Sequence, residues 1–241
     1  LANLMSVPTD CPQRDERMGW MGDAQLVAEE AIYNFDMAAF YAKYLQDIKD
    51  AQKQDGSLSD VIPPYWPLYP ADPAWGTAYI TLAWEMYRYY GDLELLEYHY
   101  DGMKKWVEFL ESKEEDGLVT YVKYGEWCSP GSVTPKRNPR EMTSAFYYYH
   151  DVLRLGQIAR LLGKEVDANY MQTKAESIRE AFNRKYFSKE TRAYGNNDQT
   201  SNVLGLQLGL PPEGMAEAVV ESLVSHIAEQ TDYHFDTGII G

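Results

Sequence analysis

The sequence predicts an all-α fold of successive helical hairpins, an (α/α)6 six-hairpin toroid in incomplete form. Three observations carry this expectation. Apolar residues recur at helical spacing through most of the chain. Glycines, prolines and capping residues divide that pattern into blocks of helix length. Period-2 alternation is almost absent. A ring of six hairpins needs twelve helices, and about seven are legible in these 241 residues. The chain is therefore expected to be a partial domain, 1–241, cut at its C-terminus and also at its N-terminus.

Taken in order, residues 1–9 read as an entry segment. Residues 10–23 form a shaped loop, because Pro12 restrains its own φ and that of its predecessor while Gly19 and Gly22 admit angles closed to other residues. Asp23 then opens one long amphipathic helix over about 24–49, with Val27, Ala31, Phe35, Ala38, Ala42 and Leu45 on its apolar side. The next loop, 52–72, carries four prolines together with Tyr65, Trp66 and Tyr69, and its length suggests a pocket wall. Asp72-Pro73 is a cap followed by proline in the first helical position, so a helix is expected over about 74–90, ended by Gly91. Asp92 caps the next, about 93–112.

The loose alternation over 117–124 predicts a short strand or hairpin arm. A loop follows from 125 to 138. Asn138-Pro139 with Glu141 reads as a capping box that opens a helix to about 162, closed by Gly163. Further helices are expected over about 167–186, 199–207 and 213–230. Residues 234–241 read as the start of another element.

The chain holds 22 basic and 37 acidic side chains, a formal charge of −15, and no basic run, which argues against nucleic acid as a partner. No apolar run approaches the ~18 residues of a membrane span. Two cysteines, Cys11 and Cys128, are too few for a disulfide framework and lack metal-site spacing. His99, His150, His226 and His234 are scattered, so no metal site and no cofactor is expected. Twenty Tyr and six Trp beside so many carboxylates suit a neutral polyhydroxylated ligand, since rings cover C–H faces and acids accept hydroxyl protons. Equally, tyrosines fill wide helix interfaces.

The densest chemistry lies in Asp10-Cys-Pro-Gln-Arg14-Asp15-Glu16-Arg17-Met-Gly-Trp20-Met-Gly-Asp23, six charged groups with an indole. Crowded acids near an indole supply like-charge repulsion and desolvation, the two influences that keep one carboxyl protonated for acid catalysis while another stays ionised. That is what cleavage of a glycosidic bond requires. Ordinary salt bridges from Arg14 and Arg17 to Asp10, Asp15 and Glu16 would account for the same composition.

The order of these residues closely resembles the signature of bacterial and fungal α-L-rhamnosidases with a six-hairpin barrel. Asp72-Pro-Ala-Trp75-Gly76, Tyr124-Gly-Glu126-Trp127 and His234-Phe-Asp-Thr-Gly238 are similar to further segments of that family, in the same order. The resemblance implies an inverting glycoside hydrolase that releases terminal L-rhamnose. Glu16 would be the general acid. Asp10, Arg14, Trp20, Asp23, Trp75 and Trp127 would bind the sugar, the indoles covering its methyl-bearing face. Two positions depart from the family pattern: Thr77 stands where Asp is common, and Glu126 where Asp is usual. The family's general base falls beyond the equivalent of Gly241, so none is assigned and the chain alone is expected to be inactive. Another sugar specificity on the same scaffold, or a carbohydrate binder without catalysis, are the alternatives.

Overall fold

The computed structural model describes residues 4, 7, 8, 15, 17–134 and 137–241. Among them are ten α-helices and two hairpins of two-residue strands. The all-α expectation therefore holds. The chain divides into two compact units, Leu1–Ser112 with Asp151–Gln172, and Lys113–His150 with Thr173–Gly241.

In the first unit the single helix expected over 24–49 is instead three: α1 (Met21–Leu26), α2 (Ala28–Asn34) and α3 (Ala38–Ala51). Phe35 is extended, at φ −141° and ψ 156°, and ends α2. Asp36 then accepts the Ala38 N–H at 3.2 Å, and the buried Met37 donates its N–H to the Tyr90 hydroxyl at 2.8 Å. No glycine or proline marks these breaks. The apolar spacing persists across them, so periodicity alone joins what tertiary hydrogen bonds divide.

The helix expected over about 74–90 is likewise two, parted at Thr77 without a side-chain cap, while its outer ends follow the caps. The Asp72 side chain accepts the Ala74 N–H at 2.9 Å, with Pro73 in the first position of α4 (Pro73–Gly76). Helix α5 (Ala78–Tyr90) ends on left-handed Gly91, and Asp92 accepts the Leu95 N–H at 2.9 Å to open α6 (Leu93–Glu111). Helix α1 packs on α4 and α5, and α5 packs on α3 and α6.

One buried carboxylate locks this core. Asp151, on helix α7 (Arg140–Leu161), accepts the Thr77 hydroxyl at 2.5 Å through Oδ1 and the Trp106 indole N–H at 2.9 Å through Oδ2. All three residues are fully buried. His99 is also core: burial holds its imidazole neutral, with a pKa pushed down to about 4, and its Nδ1 lies 3.1 Å from the Tyr79 hydroxyl.

In the second unit, Glu114–Glu115 (β1) pairs antiparallel with Leu118–Val119 (β2), so only 118–119 of the expected strand over 117–124 is strand. Helix α8 (Glu165–Tyr186) leads to a second hairpin, β3 (Phe187–Ser188) with β4 (Ala193–Tyr194). Helix α9 (Gln199–Gln207) matches its expected span and is capped by Asp198, which accepts the Ser201 N–H at 2.9 Å. Helix α10 (Ala216–Glu229) packs on α9 and starts three residues later than expected. The capping box at Asn138 does not form. Its amide nitrogen donates to the Ser201 hydroxyl at 2.9 Å, and its Oδ1 accepts no hydrogen bond from a described residue. A tertiary partner at the head of α9 outcompetes the local one.

Asp151→Ala removes the acceptor of two buried donors, at about 1–3 kcal/mol per donor. In the full-length protein we expect a loss of roughly 3 kcal/mol in urea unfolding, and a smaller loss for Asp151→Asn, which keeps one acceptor oxygen.

Candidate active site

Asp10, Arg14 and Glu16 lie outside the described residues. The end of their motif is described, and it belongs to the first unit. Trp20, half-buried, is the residue before α1 and pairs with Val61 in an isolated antiparallel bridge. Two backbone bonds tie the motif to the loop over 52–72: Met21 N–H to the Asp60 carbonyl at 2.8 Å, and Ile62 N–H to the Gly19 carbonyl at 2.9 Å. Tyr44 lies below, and its hydroxyl donates to the Gly19 carbonyl at 3.3 Å. Burial, with Asp47 and Asp23 adding, pushes that phenol up, so it stays protonated.

Asp23 sits in the first turn of α1, where a carboxylate faces the positive end of the helix. Trp75, on α4, is 3 % exposed and packs on the same turn. A β-carbon at Gly22 would fall 2.5 Å from the Trp75 ring, so only glycine lets the indole approach this closely. The structure thus brings Trp20, Asp23 and Trp75 to one end of the first unit. The loop over 52–72 joins them there and carries an exposed Tyr65.

Trp127 belongs to the second unit. It is half-buried, stacks edge-on to Tyr124 at 5.6 Å, and its carbonyl accepts the Ile239 N–H at 2.9 Å. Beside it, Glu126 is buried, and Oε1 accepts the Ile240 N–H at 3.1 Å. Burial pushes the Glu126 carboxyl up. The Thr200 hydroxyl and the N–H groups of Ile240, Gly241 and Gly238 oppose that shift without cancelling it.

Around Glu126 gathers a polar cluster that sequence reasoning did not assemble. Arg137 donates to Asp236 Oδ2 at 2.8 Å, and His226 Nε2 lies 3.1 Å from the same oxygen. Ser201 donates its hydroxyl proton to Asp198 at 2.5 Å. The available signals were the Asp198 cap and the closing 234–238 segment, neither of which points at Glu126 by itself. Cys128 is exposed and free. Among the described residues no group of three His, Cys, Asp or Glu side chains could hold a metal ion, and no helix is long and apolar enough to cross a membrane.

The succession of helices with little strand fits the class of six-hairpin glycosidase domains. All of residues 1–241 match the bacterial alpha-L-rhamnosidase 6 hairpin glycosidase domain, and the chain belongs to that family. It is similar to the alpha-L-rhamnosidase structure from Dictyoglumus thermophilum, with 59% identity and a TM-score of 0.96 over 99% of this chain and 27% of that one. The Streptomyces avermitilis alpha-L-rhamnosidase, solved in complex with L-rhamnose, is 33% identical with a TM-score of 0.91, over 99% of this chain and 22% of its own. An alpha-L-rhamnosidase of Formosa agariphila is 29% identical over 242 residues, 26% of its length. The chain thus spans about a quarter of the relatives it matches.

The raised pKa of Glu126 has a definite sign. Its contribution to stability is full below the ordinary value of 4.5 and is lost as pH rises through the higher folded value. Glu126→Gln cannot ionise. As pH rises above about 4.5 the full-length wild type should lose melting temperature relative to this variant, as read by calorimetry at matched ionic strength.

Proposed function

We propose that this chain contributes the acid half of an α-L-rhamnosidase, a glycoside hydrolase that releases terminal α-L-rhamnose with inversion. Glu16 is the general acid. It protonates the glycosidic oxygen as the bond to the anomeric carbon breaks, while a second carboxylate, outside this chain, activates water on the opposite face. Inversion places the two carboxyl groups about 6.5–9.5 Å apart, room for that water. Asp10 and Asp23 accept ring hydroxyls, Arg14 keeps a neighbouring acid ionised, and Trp20, Trp75 and Trp127 cover the apolar methyl-bearing side of the deoxy sugar.

The observation that supports this reading best is the seating of Trp75 against Gly22. It joins a motif loop and an indole separated by more than fifty residues at one end of a helical unit. Family membership along the whole chain, and a relative whose structure holds L-rhamnose, favour the same sugar.

In the full-length protein, Glu16→Gln should lower kcat about a thousandfold on rhamnosides with poor leaving groups and far less on nitrophenyl rhamnoside, whose leaving group needs little protonation. Turnover near wild type on the poor leaving groups would overturn the assignment. Hydrolysis of glucosides or mannosides with rhamnosides untouched would overturn the sugar.

A further inference from the structure

The loop over 52–72 is fixed at its base and touches the motif loop along one edge. Across the base, Ala71 N–H bonds to the Leu58 carbonyl at 2.7 Å, Ser59 Oγ accepts the Leu68 N–H at 3.1 Å, and Asp60 Oδ1 accepts the Asp72 N–H at 2.7 Å. At the edge, Val61 pairs with Trp20, and Ile62 N–H reaches the Gly19 carbonyl. Pro63, Pro64, Pro67 and Pro70 restrain φ through the tip. Its backbone has little freedom left.

Three large rings sit on this tip, and they are used differently. Tyr69 serves the scaffold: its hydroxyl donates to the Ala51 carbonyl at 2.5 Å, and Lys53 Nζ lies 4.0 Å from the centre of its ring. No ring contact or side-chain hydrogen bond joins Tyr65 or Trp66 to a described residue, and they are 81% and 43% exposed. A single exposed apolar side chain needs no explanation. Two consecutive rings on a fixed backbone, flanked by prolines, are contact area that needs little further ordering to bind.

Position and composition select what would cover them. Tyr65 follows Ile62 by three residues, so its Cα lies within about 11 Å of the Ile62 Cα, beside the bridge to Trp20. A terminal sugar held at Trp20 continues in one direction only, through its glycosidic oxygen into the leaving group. From 61 to 71 no side chain carries a charge or an amide. A second sugar would bring a rim of hydroxyls with few partners here, whereas a flat aromatic group needs only ring faces and edges.

We propose that Tyr65 and Trp66 receive the group attached to the sugar through the glycosidic oxygen, and that they select an aromatic ring there over a saturated one. This rests on the rhamnosidase reading above, which supplies the sugar that carries the ring.

The test uses the full-length protein and two S-glycosides, phenyl and methyl thio-α-L-rhamnopyranoside, as inhibitors of nitrophenyl rhamnoside hydrolysis. In wild type the phenyl compound should have an inhibition constant about tenfold lower than the methyl compound. Tyr65→Ala and Trp66→Ala should each shrink that preference about threefold, chiefly through the phenyl compound, while Tyr65→Phe keeps it because the ring and not the hydroxyl is used. Circular dichroism and the methyl compound, which reports on the sugar alone, show whether each variant retains its fold and sugar site.

Equal inhibition by the two compounds in wild type, or a preference that survives in both alanine variants, would refute the proposal and leave the rhamnosidase reading standing. A lowered melting temperature in both variants with the preference intact would refute it as well, by showing the rings packed under another part of the chain. If wild type hydrolyses no rhamnoside, the reading above fails first and the proposal falls with it.

Discussion

The side chain of Asp151, sealed from water, accepts from Thr77 and Trp106 at once, and the packing around Trp75 in the first unit rests on that pairing. A buried polar group is tolerated only when its hydrogen-bonding atoms are used. Here their use fixes the Trp106 indole. That ring lies so close to Gly76 that a β-carbon there would fall 2.2 Å from it. Gly76 directly follows Trp75, and Trp75 presses on Gly22 in the same way. A continuous run of packed groups thus leads from a core hydrogen bond to the motif loop, with glycine at both points of closest approach. The position of Trp75 is set from beneath by packing.

Much of this was legible in the sequence because it is local. Asp72, Gly91, Asp92 and Asp198 act on backbone groups within a few residues and mark helix ends where they were expected. The motif over 10–23 is readable for the same reason: its charges, indole and glycines are consecutive. The failures are equally physical. The break between α2 and α3, within the span expected as one helix, sits at a bond from Met37 to Tyr90, fifty-three residues away. Asn138 carries the right neighbours for a cap and spends its amide on Ser201, sixty-three residues away. A local pattern states what a residue could bond, and a distant partner decides what it does.

Glu126 shows the limit most clearly. As a letter it is a small departure from the Asp usual in its family. Its environment is made by Ile240, 114 residues on, and by Thr200 between them, and only their arrival buries it. With a formal charge of −15 the chain has acids to spare, and composition gives no hint which is withheld from solvent. Burial identifies it.

The closeness of Gly238 to its neighbours bears on how such proteins can be recombined. A β-carbon at Gly238 would fall 2.1 Å from the Trp127 carbonyl oxygen and 2.5 Å from Glu126 Oε1, so the tail over 236–241 and the turn at 126–127 are shaped to each other with no slack. A chimera that imports one of these segments from a relative without the other would set two unmatched surfaces together. Homologous exchange in this family should therefore respect them as one inherited block, despite the hundred residues of chain that separate them.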